Sequence, residues 1–271
     1  MRSSARFFAE VLLASALAGV VSEPVFATEY PSPSTGRITM LPRSPEGKAW
    51  ELPGRNYEKG TTWFALSCGQ ERCVLQPATL KTERITKYPY DGDPMPGQRL
   101  LWQGAGAASG QNALLTMQAD RQLAWLKQGG VSTYYSGTGL VPRAAGPGTM
   151  EAQIDLGGQA SAVLVPQRIR AKADAGGARS EDKLRLQLRI GSARQVLGEF
   201  EFDVLGMRPV PPEEYLLWAG DLDADGKPDF LVSFGMGSYN VALFLSSLAG
   251  PGEMVGEAGR FAYFPVEMAG C

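Results

Sequence analysis

The alternation of apolar and polar residues predicts β-strands along most of this 271-residue chain. Residues 184–190 and 199–204 alternate at every step, which is typical of half-buried antiparallel strands. Weaker apolar patterns at 61–68, 73–80 and 98–103 predict further strands. The expected fold class is therefore mainly β, with antiparallel sheets arranged as a sandwich or an irregular barrel.

Turn-forming residues divide the chain into regions. Residues 28–60 are rich in Pro, Ser and Gly, which predicts an irregular start with one short strand at 37–41. A second Gly- and Pro-rich stretch at 136–148 marks a candidate boundary. The predicted division is a signal peptide at 1–27, a Pro-rich segment at 28–60, an N-terminal β region at 61–145 and a C-terminal β region at 146–271.

Residues 113–127 fit two patterns. Their apolar positions recur at helical spacing across the segment, and they also alternate on either side of Asp120-Arg121, as they would in a hairpin. We expect strands here, and a helix remains the open alternative.

An acidic loop lies between two apolar stretches, 216–219 and 229–234, near the C-terminal end. The loop runs from Asp221 to Asp229 and reads Asp-Leu-Asp-Ala-Asp-Gly-Lys-Pro-Asp. The apolar flanks predict a strand–loop–strand unit. An EF-hand would require a bidentate glutamate at position 12 of the loop, where this chain has Val232, so a helix–loop–helix site is excluded.

The residue types in this loop are those that bind calcium. Calcium takes about 6–8 oxygen ligands from carboxylates, carbonyls and water, and a glycine at the sixth position allows the chain to turn sharply. The alternative is a solvated acidic turn in which Asp and Gly serve only as turn formers. The predicted ligands are the carboxylates of Asp221, Asp223 and Asp225, the backbone carbonyl of Lys227, and Asp229 directly or through water.

The loop and its flanks, residues 215–248, resemble one FG-GAP repeat of the integrin-like, VCBS-type class. Residues 219–232 followed by Val241-Ala242-Leu243-Phe244-Leu245 carry the resemblance. In that family the Asp-rich loop joins two strands of a propeller blade and binds calcium, so the resemblance implies ligand roles for the four aspartates. A propeller needs about 4–8 blades, and no second copy keeps the spacing, so a full propeller is not expected.

Residues 1–27 are typical of a secretory signal peptide. Arg2 and Arg6 precede an apolar core from Val11 to Val21, and Val25-Phe26-Ala27 ends in a small residue suited to cleavage after Ala27. An uncut membrane anchor is the alternative, although the apolar run is short for a span of about 20 residues. The expected location is periplasmic or secreted, with no membrane span after cleavage.

The three cysteines predict one disulfide bond. Cys68 and Cys73 flank a four-residue loop between two predicted strands, which would place them opposite one another and within bonding range. An exported chain meets an oxidising compartment, where such a bond persists. Pairing of Cys271 with either of them is the competing arrangement.

Composition excludes several kinds of chemistry. The chain contains no histidine, which removes Ser-His-Asp and Cys-His nucleophile systems and His-bearing zinc sites. The formal net charge of −2 does not indicate the basic surface that nucleic-acid binding requires. Glu213-Glu214 is interpreted as part of a solvated turn rather than an acid/base pair. The five tryptophans, at 50, 63, 102, 125 and 218, are expected in the core.

These observations favour a non-enzymatic exported protein that carries one structural Ca²⁺ and serves as a binding or structural module, with a glycan or a protein as ligand. The second hypothesis is an exported carboxylate-dependent hydrolase acting on polysaccharide or cell wall, because glycoside hydrolysis needs two carboxylates and no histidine.

Overall fold

The computed structural model describes thirteen stretches of the chain, and all structural statements below concern them. The predicted signal peptide, Cys271, residues 119–125 and residues 201–204 lie outside these stretches. The described residues are 34–44, 48–54, 57–69, 72–88, 93–103, 113–118, 126–137, 143–146, 149–158, 160–169, 183–200, 210–235 and 239–263.

The described residues form seventeen strands, one short helix and one 3₁₀ turn. The strands are β1 (Ser34–Gly36), β2 (Met40–Pro42), β3 (Trp50–Pro53), β4 (Thr62–Cys68), β5 (Cys73–Lys87), β6 (Met95–Gln103), β7 (Leu115–Gln118), β8 (Gly129–Tyr135), β9 (Arg143–Gly146), β10 (Thr149–Gly157), β11 (Ala160–Ile169), β12 (Lys183–Ile190), β13 (Ala193–Glu199), β14 (Leu216–Asp221), β15 (Asp229–Ser233), β16 (Tyr239–Leu245) and β17 (Gly256–Tyr263). The helix is α1 (Pro212–Tyr215), and the 3₁₀ turn is Ser246–Leu248.

The larger sheet has twelve strands and is nearly closed on itself. Its order is β1-β17-β16-β15-β14-β8-β5-β4-β7-β2, with β6 pairing β5 and β3 pairing β6. Every described pairing is antiparallel. The two ends of the sheet meet where the backbone N–H groups of Arg37 and Ile38 donate to the carbonyl of Ala258 at 2.9 and 3.0 Å. The result is a barrel-like sheet with side chains filling its interior.

The smaller sheet has five antiparallel strands in the order β13-β12-β11-β10-β9. It covers the outer face of the β14–β16 part of the larger sheet. Alternation along β15 divides the side chains between two cores: Leu231 belongs to the interior of the barrel, whereas Phe230 and Val232 pack with residues of the smaller sheet. This strand is therefore buried on both faces, which explains its continuous apolar sequence.

The two sheets are tied together by polar contacts as well as by apolar packing. The hydroxyl of the fully buried Tyr215 donates to the carbonyl of Met150 at 2.8 Å. The side chain of Gln195 on β13 bonds the backbone of Met254 and Val255, which precede β17. Because each contact joins a different pair of elements, the smaller sheet is fixed at two points on the larger one.

The expected fold class is confirmed, since the described chain is mainly antiparallel β and is not a propeller. The predicted strands at 61–68, 73–80, 98–103 and 184–190 are all present, and β5 is longer than expected. In the ambiguous segment, Leu115–Gln118 is a strand. The larger sheet pairs β8 with β14 and β1 with β17, so it takes strands from both sides of the boundary predicted at residue 145.

Some local predictions were wrong. The described residues between 34 and 60 contain three short strands rather than one, because each pairs with a strand distant in sequence. The strand expected at 199–204 stays a prediction, because residues 201–204 lie outside the described stretches; β13 ends at Glu199, where that strand was expected to begin. The Glu213-Glu214 turn is the single-turn helix α1, with proline at its start.

The core prediction holds for three of the tryptophans. Trp50, Trp63 and Trp218 are buried, Trp102 is half-buried against the core, and Trp125 lies outside the described residues.

Within the described stretches, no helix has the length and hydropathy needed to cross a membrane.

The Cys68–Cys73 disulfide bond is present. The two residues are directly paired across the β4–β5 hairpin, with Cα atoms 4.0 Å apart and sulfur atoms 2.00 Å apart. Cys73 is fully buried in the barrel core. The bond closes the loop end of the β4–β5 hairpin, and Cys73 at this end also pairs with β8.

Candidate metal site

The acidic loop connects β14 and β15, which pair antiparallel up to Gly220 and Asp229. Two residues in the loop have left-handed backbone conformations: Ala224 with φ 59° and Gly226 with φ 82°. Glycine adopts this conformation without strain, as expected for the turning position, whereas Ala224 is the one described non-glycine residue with positive φ. These two positions bend the chain so that the carboxylates before and between them face one centre.

Three of the predicted ligands come together. Carboxylate oxygens of Asp221, Asp223 and Asp225 lie within 4.8 Å of one another, which is a spacing that one cation can bridge. Asp221 and Asp223 are half-buried, and Asp225 is exposed. The cluster is thus open to solvent on one side.

Backbone N–H groups of the loop orient these carboxylates. The two oxygens of Asp221 accept from the N–H groups of Asp225 and Gly226 at 3.0 and 2.9 Å. Asp225 accepts from the N–H of Lys227 at 2.8 Å. The Lys227 side chain is exposed, and the role of its carbonyl as a ligand stays a prediction.

The serines of the 3₁₀ turn also belong to the site, and sequence reasoning missed them. The Ser246 hydroxyl donates to the carboxylate of Asp225, with its oxygen 3.0 and 2.9 Å from the two carboxylate oxygens. The Ser247 hydroxyl donates to Asp223. The turn follows β16, which pairs β15, so strand pairing carries these serines over the loop. No local signal in a Ser-Ser pair indicates this placement.

Asp229 lies deeper than the other aspartates and is 0 % exposed. Its two carboxylate oxygens accept from the backbone N–H groups of Leu222 at 2.7 Å and Ser246 at 2.8 Å. It is not one of the three carboxylates that cluster. Asp229 therefore joins the start of the loop to the 3₁₀ turn, and its predicted role as a ligand stays a prediction.

Burial and mutual repulsion shift the titration of two of these carboxyls. Burial raises the pKa of Asp229 to about 7. The hydrogen bonds from Ser246 and Leu222 lower this pKa but do not offset the effect of burial. Burial also raises the pKa of Asp223, and the neighbouring charges of Asp225 and Asp221 add to the increase. A cation at the cluster would relieve this repulsion, because opposite charge favours the ionised form.

A pocket occurs elsewhere, between residues of the larger sheet and the segments that flank its strands. None of its lining residues is acidic, so it does not supply a carboxylate pair. The lining residues are Pro42, Ser44, Lys48, Ala49, Trp50, Leu100, Trp102, Ala113 and Thr116.

Comparison with protein-family models, with curated proteins and with solved structures finds no match to this chain.

Proposed function

We propose that this protein is an exported β-rich binding or structural module that holds one calcium ion in the loop from Asp221 to Asp229. The observation that carries the proposal is the convergence of the Asp221, Asp223 and Asp225 carboxylates within 4.8 Å. Hard oxygen donors of this kind suit calcium, and the likeness of residues 215–248 to an FG-GAP repeat supports the same ion.

The role proposed for calcium is structural. The loop joins β14 to β15, and both strands contribute residues to the two cores of the protein. An ion that neutralises the loop would hold the ends of these strands and the 3₁₀ turn in place, because Asp223 and Asp225 already bond the turn. A rigid loop would therefore also stabilise β14 and β15, which pack against the smaller sheet.

Export is proposed from two features. The first is the sequence of residues 1–27, which is typical of a cleavable signal peptide. The second is the disulfide bond between Cys68 and Cys73, since such bonds persist in oxidising compartments. Calcium binding agrees with that location, because extracellular modules work with dissociation constants of about 10⁻⁴–10⁻³ M.

A binding or structural role is favoured over hydrolysis. A glycoside hydrolase requires two carboxylates on either side of a sugar-binding cleft. The three clustered carboxylates have oxygens within 4.8 Å of one another in one tight loop, closer than the roughly 5–9.5 Å that separates the two carboxyl groups of a glycosidase. The partner proposed for the module is a glycan or a protein.

The test is isothermal titration of the mature protein, first stripped with chelator, with calcium chloride. We expect one ion to bind per chain. Asp223→Ala should weaken binding by roughly tenfold or more, because calcium affinity depends on the number of charged oxygen ligands. The matched control is Asp155→Ala, which removes an exposed carboxylate from the smaller sheet. Absence of saturable calcium heat in the intact protein would refute the proposal.

A further inference from the structure

The outer face of the smaller sheet presents a row of arginines. Leu184, Leu186 and Leu188 of β12 are buried against the larger sheet, so the alternate residues of β12 project outward. Opposite them on β13, Arg185 faces Glu199 and Arg189 faces Arg194. Each of these pairs occupies neighbouring positions on one face of the sheet.

The two pairs differ in charge. Arg185 and Glu199 form an ion pair with a nitrogen–oxygen distance of 2.7 Å. Arg189 and Arg194 place two positive charges directly opposite one another, where residues of an antiparallel pair have Cβ atoms about 4.5–5.5 Å apart. Like charges in this arrangement destabilise the folded state. An anion bound between the two arginines would offset their electrostatic repulsion.

Arg189 is held in position for such an anion. Its Nε donates to the side-chain oxygen of Gln187 at 2.7 Å, which fixes the plane of the guanidinium group and leaves its terminal nitrogens outside that bond. Arg194 is exposed. Among the described residues, no carboxylate forms an ion pair with either arginine.

We propose that Arg189 and Arg194 bind a tetrahedral oxyanion, a phosphate or sulfate group, on the outer face of the smaller sheet. Two planar guanidinium groups offer paired N–H donors that match the oxygens of such a group. The group comes either from the free inorganic ion or from an ester on a larger molecule. This site is separate from the acidic loop and does not depend on calcium.

The experiment titrates the intact, calcium-free protein with inorganic phosphate at low ionic strength, followed by calorimetry and by the NMR signal of the Arg189 Nε–H group. We expect saturable binding and a shift of that signal. Arg194→Gln should weaken binding by roughly tenfold, as expected for loss of a hydrogen bond to a charged group. Arg185→Gln, on the same face but already ion-paired, is the matched control and should bind as the original chain does.

Parallel titrations with sulfate, a sugar phosphate and a sugar sulfate separate the two sources. Tighter binding of an ester than of its inorganic ion assigns the site to a group carried on a larger molecule, and equal binding assigns it to the free ion. Two results overturn the proposal: no saturable binding of any of the four probes, or equal weakening by Arg194→Gln and Arg185→Gln.

Discussion

The carboxylate of Asp229 accepts the backbone N–H of Ser246 at 2.8 Å, across seventeen residues of chain. The same carboxylate accepts the N–H of Leu222 at 2.7 Å, so one buried side chain satisfies backbone groups at the start of the acidic loop and at the 3₁₀ turn. Buried N–H groups are costly when unpaired. This contact therefore holds the loop and the turn together independently of any ion.

Replacement of Asp229 by alanine is expected to destabilise the protein even in the presence of chelator. Two buried N–H groups would lose their acceptor, at about 1–3 kcal/mol each. Urea unfolding monitored by tryptophan fluorescence measures the loss. Asp93→Ala is the control, since that carboxylate is exposed, lies outside the acidic loop and should cost little. Equal losses for the two variants would show that Asp229 does not have this capping role.

Calcium is expected to raise the melting temperature of the mature protein. An ion that binds only the folded state stabilises it by about 1.4 kcal/mol at a tenfold excess over its dissociation constant, which millimolar calcium gives for a constant of about 10⁻⁴ M. Differential scanning calorimetry in chelator and in millimolar calcium measures the difference, with magnesium as the control ion. An unchanged melting temperature would mean that the loop is not a structural calcium site.

Gly220→Ala is expected to destabilise the protein by about 1–3 kcal/mol or more, the cost typical of overpacking. A Cβ atom at this position would overlap the ring of the buried Trp218 and the carbonyl of Ser132 on the neighbouring strand. Chemical denaturation gives the free energy of unfolding. Gly130→Ala in β8 is the control, because a Cβ there meets nothing within 4 Å. If the two variants unfold alike, close packing at Gly220 is not the reason for its glycine.

Glu51 is expected to make stability depend on pH in the acid range. Its carboxylate bonds Lys87 at 2.7 Å and Arg99 at 2.7 Å, and these contacts, that to Lys87 foremost, lower its pKa. The folded pKa then lies below the unfolded one, so the stabilisation is present above the unfolded pKa of about 4.3 and is lost as pH falls through the folded pKa.

Glu51→Gln should therefore flatten the fall in melting temperature below about pH 5, where the unfolded carboxyl begins to bind protons. Thermal unfolding followed by circular dichroism between acid and neutral pH measures this slope. Glu58→Gln, an exposed position, is the control. An acid slope that is the same in Glu51→Gln and in the original chain contradicts the prediction.

Loss of the disulfide is expected to be tolerated. Cys68 and Cys73 close a very short loop, so the bond removes less unfolded-state entropy than the roughly 3 kcal/mol estimated for a 15-residue loop. Unfolding of the Cys68→Ala/Cys73→Ala protein should show a smaller loss than that. Non-reducing peptide mapping of the exported protein provides the companion test, and a main product that joins Cys271 to Cys68 or Cys73 would contradict the pairing.

The sequence by itself determined the features that depend on neighbouring residues. The alternation at 184–190 specifies which side chains of β12 face the core, because successive side chains of a strand point to opposite faces. The spacing of Cys68 and Cys73 specifies a bonded hairpin, and the spacing of Asp221, Asp223 and Asp225 specifies a carboxylate cluster. In each case a turn of a few residues brings the groups together.

Only the tertiary structure decided which distant segments meet. Ser246 and Ser247 reach the acidic loop through the pairing of β15 with β16, and Asp229 is buried as a backbone cap rather than placed among the clustered carboxylates. The short strands in residues 28–60 form because β17, β7 and β6 supply their partners. Pairing between strands far apart in the chain depends on the packing of the whole sheet, whereas a local pattern of apolar residues specifies only which face of a strand is buried.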